Sequence, residues 1–280
     1  MNHIPFTKMH GLGNDFVVLD DRDGHLAVGS EEARAIGNRR TGVGFDQLLI
    51  LEPVQNPDAD IFMRIRNPDG SEAEACGNGT RCVAARAMDE LDTDTLKVET
   101  IVGILSATRR ADGLVTVDMG PANLDWRDIP LAEATDTLHL GIESGPLVDP
   151  VAVNMGNPHM VFIVDDADAV DIAGLGPGLE THPLFPERTN VEAISSLGED
   201  RIRMRVWERG AGITQACGSG ACAAAVAAHR RGLTGRKVDV ILDGGPLTIE
   251  WRDDGRVLMT GPVATSFEGR LDPSLFDGAA

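Results

Sequence analysis

The sequence predicts an α/β (α+β) fold of two pseudo-symmetric lobes, each a β-barrel-like sheet wrapped around a central helix. Three observations carry that expectation. A cysteine–glycine motif occurs twice at matched positions, short apolar runs of strand type dominate both copies, and each motif is followed by an Ala-rich helical stretch. A repeat on this scale means two copies of one architecture.

The segment Ala75-Cys76-Gly77-Asn78-Gly79-Thr80-Arg81-Cys82 returns 141 residues later as Ala216-Cys217-Gly218-Ser219-Gly220-Ala221-Cys222. The approaches match at the same offset, Met63 to Asn67 with Met204 to Glu208, and so do the exits, Gly120-Pro121 with Gly261-Pro262. The first lobe is therefore expected over 1–120 with the tail 265–280, and the second over 121–264. Phe16–Leu19, Gln47–Leu51, Met160–Val164 and Val238–Leu242 read as strands bounded by turn formers. Gly77 to Met88 and Gly218 to Arg230 read as helices. The second closes on His229-Arg230-Arg231-Gly232, cations in the last turn and then a residue suited to positive φ. From Cys222 to Ala228 that helix has no polar side, so strands must surround it. Gly174 to Gly178, with a Pro inside, reads as a plain loop.

Composition narrows the function. The chain has 280 residues, 42% of them hydrophobic, and a net charge of −19. Two ordinary domains fit that length. The negative excess repels phosphate backbones and anionic lipid, so neither nucleic acid nor a membrane surface is expected as partner, and a small substrate bearing a positive group is. No apolar signal region opens the chain and no run of about 18 apolar residues occurs, which points to a soluble, cytoplasmic protein. In such a compartment the four cysteines serve packing, metal binding or thiol chemistry. Cys82 and Cys222, within the helices, are expected to pack. The spacings Cys-x5-Cys and Cys-x4-Cys match no common zinc site, so no metal is expected. Lys8, Lys97 and Lys237 are the only lysines and none has an evident Schiff-base context. No cofactor is expected.

Cys76 and Cys217 each stand at a strand-to-helix junction before Gly-x-Gly. A helix start offers unpaired N–H donors and partial positive charge, which should lower the thiol pKa toward neutrality and also hold a carboxylate. Two such thiols suit inversion of a carbon α to a carboxylate, one removing a hydrogen and the other returning one to the opposite face. General acid–base catalysis supplies about 10²–10⁴-fold; stabilisation of the enediolate by the helix starts must supply much of the rest.

These motifs, with Gly11-Leu12-Gly13-Asn14-Asp15-Phe16, Gly156-Asn157-Pro158-His159, Arg188-Thr189-Asn190-Val191-Glu192 and Trp207-Glu208-Arg209-Gly210-Ala211-Gly212, resemble the diaminopimelate epimerase family over nearly the whole chain. The resemblance implies interconversion of LL- and meso-diaminopimelate on the route to lysine and peptidoglycan, without cofactor or metal, by a homodimer. It implies Cys76 and Cys217 as the proton-transfer pair, and Asn14, Gln47, Asn67, Asn157, Asn190, Glu208 and Arg209 as substrate-binding residues. The backbone at Gly77-Asn78 and Gly218-Ser219 would hold the carboxylate beside the reacting carbon. His159 and Glu208 would tune the cysteine pKa values, and Phe267 would lie in the dimer interface. One departure is Pro68, where Ala is common; it biases Asn67 toward an extended backbone.

Overall fold

The computed structural model describes residues 3–26, 28–74 and 76–276. Ala75 of the first repeated motif and the last four residues of the tail lie outside them. The chain divides into one unit of Met1–Val117 with Gly261–Ala280 and a second of Asp118–Thr260.

In the first unit the order is β1 (Ile4–Gly11), β2 (Asn14–Asp20), α1 (Ser30–Gly37), β3 (Gln47–Glu52), β4 (Ile61–Arg66), β5 (Glu72–Ala73), α2 (Gly77–Leu91), β6 (Thr95–Thr100), β7 (Gly103–Arg109) and the start of β8 (Val115–Pro121). The second unit runs β9 (Glu143–Ser144), β10 (Leu147–Val148), β11 (Val151–Asn154), β12 (Pro158–Ile163), α3 (Ile172–Glu180), β13 (Asn190–Ser196), β14 (Arg201–Glu208), β15 (Gly212–Ile213), α4 (Gly218–Arg230), β16 (Lys237–Leu242), β17 (Gly245–Trp251) and β18 (Arg256–Gly261). β19 (Ala264–Leu271) returns to the first unit and pairs antiparallel with β1.

The duplication is visible in the pairing. β2 lies parallel to β3, β3 antiparallel to β4, and β4 parallel to β6. β12, β13, β14 and β16 repeat those relations in the same sequence. Phe16 stands opposite Gln47 as His159 stands opposite Asn190. Asn14 and Asn157 are therefore equivalent positions, as are Gln47 and Asn190, Phe16 and His159, and Leu49 and Glu192.

The strand runs are apolar without alternation because both faces of these strands are covered. Phe16, Val17, Val18 and Leu19 are all buried. On one side Val17, Leu19, Leu48 and Ile50 pack with Ala33 and Ile36 of α1; α2 packs against β1, β2, β3, β6 and β7. In the second unit Met160, Phe162, Val191 and Ala193 pack with Ile172 and Leu179 of α3, while α4 contacts β11 to β14, β16 and β17. The apolar stretch from Cys222 to Ala228 is buried throughout, as its lack of a polar side requires. Gly232 takes φ +72° just past α4.

One expectation about the secondary structure fails. Gly174 to Gly178 is not a loop but the middle of α3. The Asp171 side chain accepts from Gly174 N–H and caps the helix start, and burial of Ile172 and Leu179 stabilises a segment whose Gly and Pro content disfavours helix. Among the described residues no helix is long and apolar enough to cross a membrane.

Candidate active site

Each motif cysteine is the N-cap of its helix: Cys76 of α2 with φ −148° and ψ 103°, Cys217 of α4 with φ −108° and ψ 110°. Each sulfur accepts the N–H three residues on, Gly79 in one case and Gly220 in the other, both at 3.3 Å. The sequence folds this way because the glycines leave the first helical turn uncrowded, so the thiolate-forming atom becomes the cap.

The two thiols have different neighbours. Cys76 is half-buried and its thiol faces Asn14 Oδ1 at 3.9 Å, to which Asn78 Nδ2 also donates at 3.1 Å. Asn14 cannot turn freely, because its Nδ2 donates to Asp46 Oδ2 at 3.1 Å. Arg39 in turn bridges Asp46 and Asp15 at 2.7 and 2.6 Å. Gln47 Nε2 reaches Asn67 Oδ1 at 3.4 Å, and Asn67 Nδ2 donates to Ser71 Oγ at 3.1 Å. Asn14, Gln47, Asn67, Gly77 and Asn78 are thus tied to the β1–β2, β3 and β4 ends and the first turn of α2.

Cys217 is buried among carboxyl groups. Burial pushes its thiol pKa well above the ordinary value, Glu208 and Glu192 push it further, and the Gly220 N–H and Ser219 hydroxyl only partly oppose them. The expected fall toward neutrality is therefore reversed at Cys217: desolvation and two acidic neighbours outweigh the helix start. Glu208 is raised as well, by burial first and by Glu192, against hydrogen bonding from Thr214 and the Cys217 thiol. Cys82, inside α2, is raised to about 12 by burial and is inert packing, as expected. Cys222 is fully buried.

His159 is fully buried. Its Nδ1 lies 2.7 Å from Glu192 Oε1 and its Nε2 lies 2.8 Å from Asn157 Oδ1. Asn190 is committed at both ends, Nδ2 donating to Pro158 O and Oδ1 accepting from Arg209 N–H, each at 2.9 Å. It joins the Gly-Asn-Pro-His corner to the Glu208-Arg209 turn. Arg209 is exposed, its guanidinium reaching Glu187 O at 3.1 Å.

Four residues of this region escaped the sequence reading. Glu192 sits inside a quoted motif but no chemistry marked it, and a Glu within an apolar strand is its only signal. Buried Glu180 accepts from Trp207 Nε1 at 2.7 Å and Gly210 N–H at 3.1 Å, clamping both ends of the Glu208-Arg209 turn. Thr214 donates to Glu208, and Asp46 orients Asn14; neither has a distinguishing pattern. Among the described residues no three His, Cys, Asp or Glu side chains are grouped as a metal would need.

The fold settles the class first. A Bacillus anthracis phenazine biosynthesis protein superposes with TM-score 0.70 at 18% identity, covering 97% of this chain and 100% of that one. A probable proline racemase from Agrobacterium radiobacter gives 0.67 at 18%, covering 98% and 94%. The chain thus shares the mixed α/β fold of those structures.

Within that class it belongs to the diaminopimelate epimerase family, whose model matches residues 6–124 and 151–266. A diaminopimelate epimerase from Rhodospirillum centenum is 62% identical over 274 residues, covering 98% of this chain and 94% of that protein. The protein is accordingly an epimerase.

Proposed function

We propose that the protein interconverts LL- and meso-2,6-diaminopimelate by two-thiol proton transfer at the α-carbon, Cys76 and Cys217 serving as the acid–base pair. The observation that carries this reading is the duplicated N-cap thiol, held to its helix start by the same 3.3 Å contact in both units. Family membership names the substrate.

The chemistry follows from the two environments. A thiolate at one helix start takes the α-hydrogen, and a thiol at the other delivers a proton to the opposite face. Cys217, with its raised pKa, is suited to hold the proton, and half-buried Cys76 to act as the base. Backbone N–H groups at Gly77-Asn78 and Gly218-Ser219 bind the carboxylate whose oxygen gathers charge as the carbon loses its proton. Glu208 sits against the Cys217 thiol and favours its protonated form. Asn14, Gln47, Asn67, Asn157, Asn190 and Arg209 form or support the contacts that fix the distal amino-acid head. A substrate lacking that head leaves buried polar groups unpaired and should turn over poorly. Every step draws on protein groups alone, so the reaction needs no cofactor.

The same reading places the enzyme in the cytoplasm, where thiols stay reduced. It makes it a homodimer through Phe267, an exposed aromatic on β19 set edge-on against Phe6 at 5.9 Å.

Incubation with LL-diaminopimelate in D2O under reducing conditions tests the function. Deuterium should enter the α-position as meso product forms, read by NMR. Absence of both exchange and stereochemical change refutes it.

A further inference from the structure

The second unit holds a buried polar pair that the first does without. His159 and Glu192, fully buried on β12 and β13, occupy the positions that Phe16 and Leu49, also fully buried, occupy on β2 and β3. The glycines confirm the correspondence: a Cβ at Gly79 would meet the Leu49 methyls at 3.1 and 3.2 Å, and one at Gly220 would meet Glu192 Oε1 at 2.8 Å. The same scaffold therefore closes around its helix start with two hydrocarbons. Burying a carboxyl and an imidazole instead is costly, the more so because Glu192 Oε2 has no hydrogen-bond partner. Fold stability does not explain the pair.

Its connection to Asn157 does. Asn157 Oδ1 can only accept, so the hydrogen on that contact belongs to His159 Nε2. The proton between Nδ1 and Glu192 Oε1 holds the ring in place. Asn157 is thereby fixed with its oxygen inward, and its Nδ2, which makes no hydrogen bond among the described residues, turned away from the ring. The equivalent Asn14 is fixed the other way round, Nδ2 tied to Asp46 and Oδ1 toward the thiol. Glu208 from β14 and Cys217 at the start of α4 are the other titratable groups coupled to this cluster.

We propose that Glu192 is a positioning residue: through His159 it sets the Asn157 side chain as a hydrogen-bond donor to a carboxylate oxygen of the bound amino acid. On this assignment His159 acts by orientation. The proposal rests on the epimerase reading above, and deepens it at one residue.

The double variant His159→Phe, Glu192→Leu copies the first unit and should fold with Tm equal to or above the parent, whereas Glu192→Leu alone takes the Glu192 partner from buried His159 Nδ1 and should fold with a lower Tm. Each should raise KM about tenfold or more with kcat changed less than threefold. Glu192→Gln can donate its amide N–H to Nδ1, preserving the Nε2–H contact, and should stay within about threefold of the parent. Glu192→Leu added to Asn157→Ala should cost nothing beyond Asn157→Ala alone. Nitrogen-15 NMR of the His159 ring should show hydrogen on Nε2 in the parent and in Glu192→Gln. This last readout needs no turnover, so it separates failure of the relay from failure of the epimerase assignment. Unchanged KM in the double variant, additivity with Asn157→Ala, equal damage from Gln and Leu, or an Nε2 without hydrogen would each overturn the proposal.

Discussion

The two cysteine sites share a backbone and differ in everything around it. Cys76 has amides for neighbours, Asn14 and Asn78, and a hydrocarbon wall that includes Leu49. Cys217 has carboxyls, Glu208 and Glu192, and is more deeply buried. A duplicated chain thus presents one helix-start geometry in two electrostatic settings. The lesson is that the N-cap alone does not fix a thiol's pKa; burial and the nearest charges do.

Removing either sulfur tests the comparison most severely. Cys76→Ala and Cys217→Ala should each lower epimerisation at least about 10³-fold, in line with the loss of an essential acid or base, while far-UV circular dichroism stays unchanged. Full turnover by either variant would end the two-thiol scheme.

Glu208→Gln separates the two thiols. Losing a carboxylate beside it should move the pH midpoint of Cys217 alkylation by iodoacetamide downward and leave that of Cys76 in place, with kcat down about 10–100-fold. Stability should respond with a defined sign. The folded pKa of Glu208 lies above its ordinary 4.5, so its contribution is full below about 4.5 and is lost as pH rises through the folded value. Relative to the parent, Glu208→Gln should therefore gain stability between pH 5 and pH 8; a constant difference in urea midpoints across that range would contradict the assignment.

Glycine substitutions compare the walls. Gly220→Ala drives a methyl against Glu192 Oε1 and to 3.1 Å from the Cys217 sulfur, whereas Gly79→Ala meets Leu49 methyls first. Overpacking costs about 1–3 kcal/mol, and it should raise KM more at Gly220, where it displaces the polar pair, than at Gly79. Equal kinetic damage would argue that the two walls do the same job.

The smallest effect is expected at Glu180. Glu180→Gln keeps the shape but weakens acceptance from Trp207 and Gly210. A loss of about 1–3 kcal/mol in chemical denaturation follows from such buried partners, accompanied by a modest rise in KM through a looser Glu208-Arg209 turn. A parent-like urea midpoint would remove Glu180 from that role.

The repeat, the strand runs, the two Ala-rich helices and the cysteines at their starts were all legible in the chain, because each is a local pattern: spacing, period, composition and capping. The family motifs carried the asparagines and Glu208-Arg209 in the same way. What only the tertiary structure decided is which neighbours those residues meet. Glu192 and Leu49 occupy the same place in two strands of similar pattern, and nothing local says that one faces an imidazole and the other a helix start lined with methyls. The direction of the Cys217 shift, the opposite settings of Asn14 and Asn157, and the helix through Pro177 all depend on burial and on charges brought close by distant segments. Local propensity fixes the repeated elements; desolvation and long-range pairing fix α3 and the chemistry of the site.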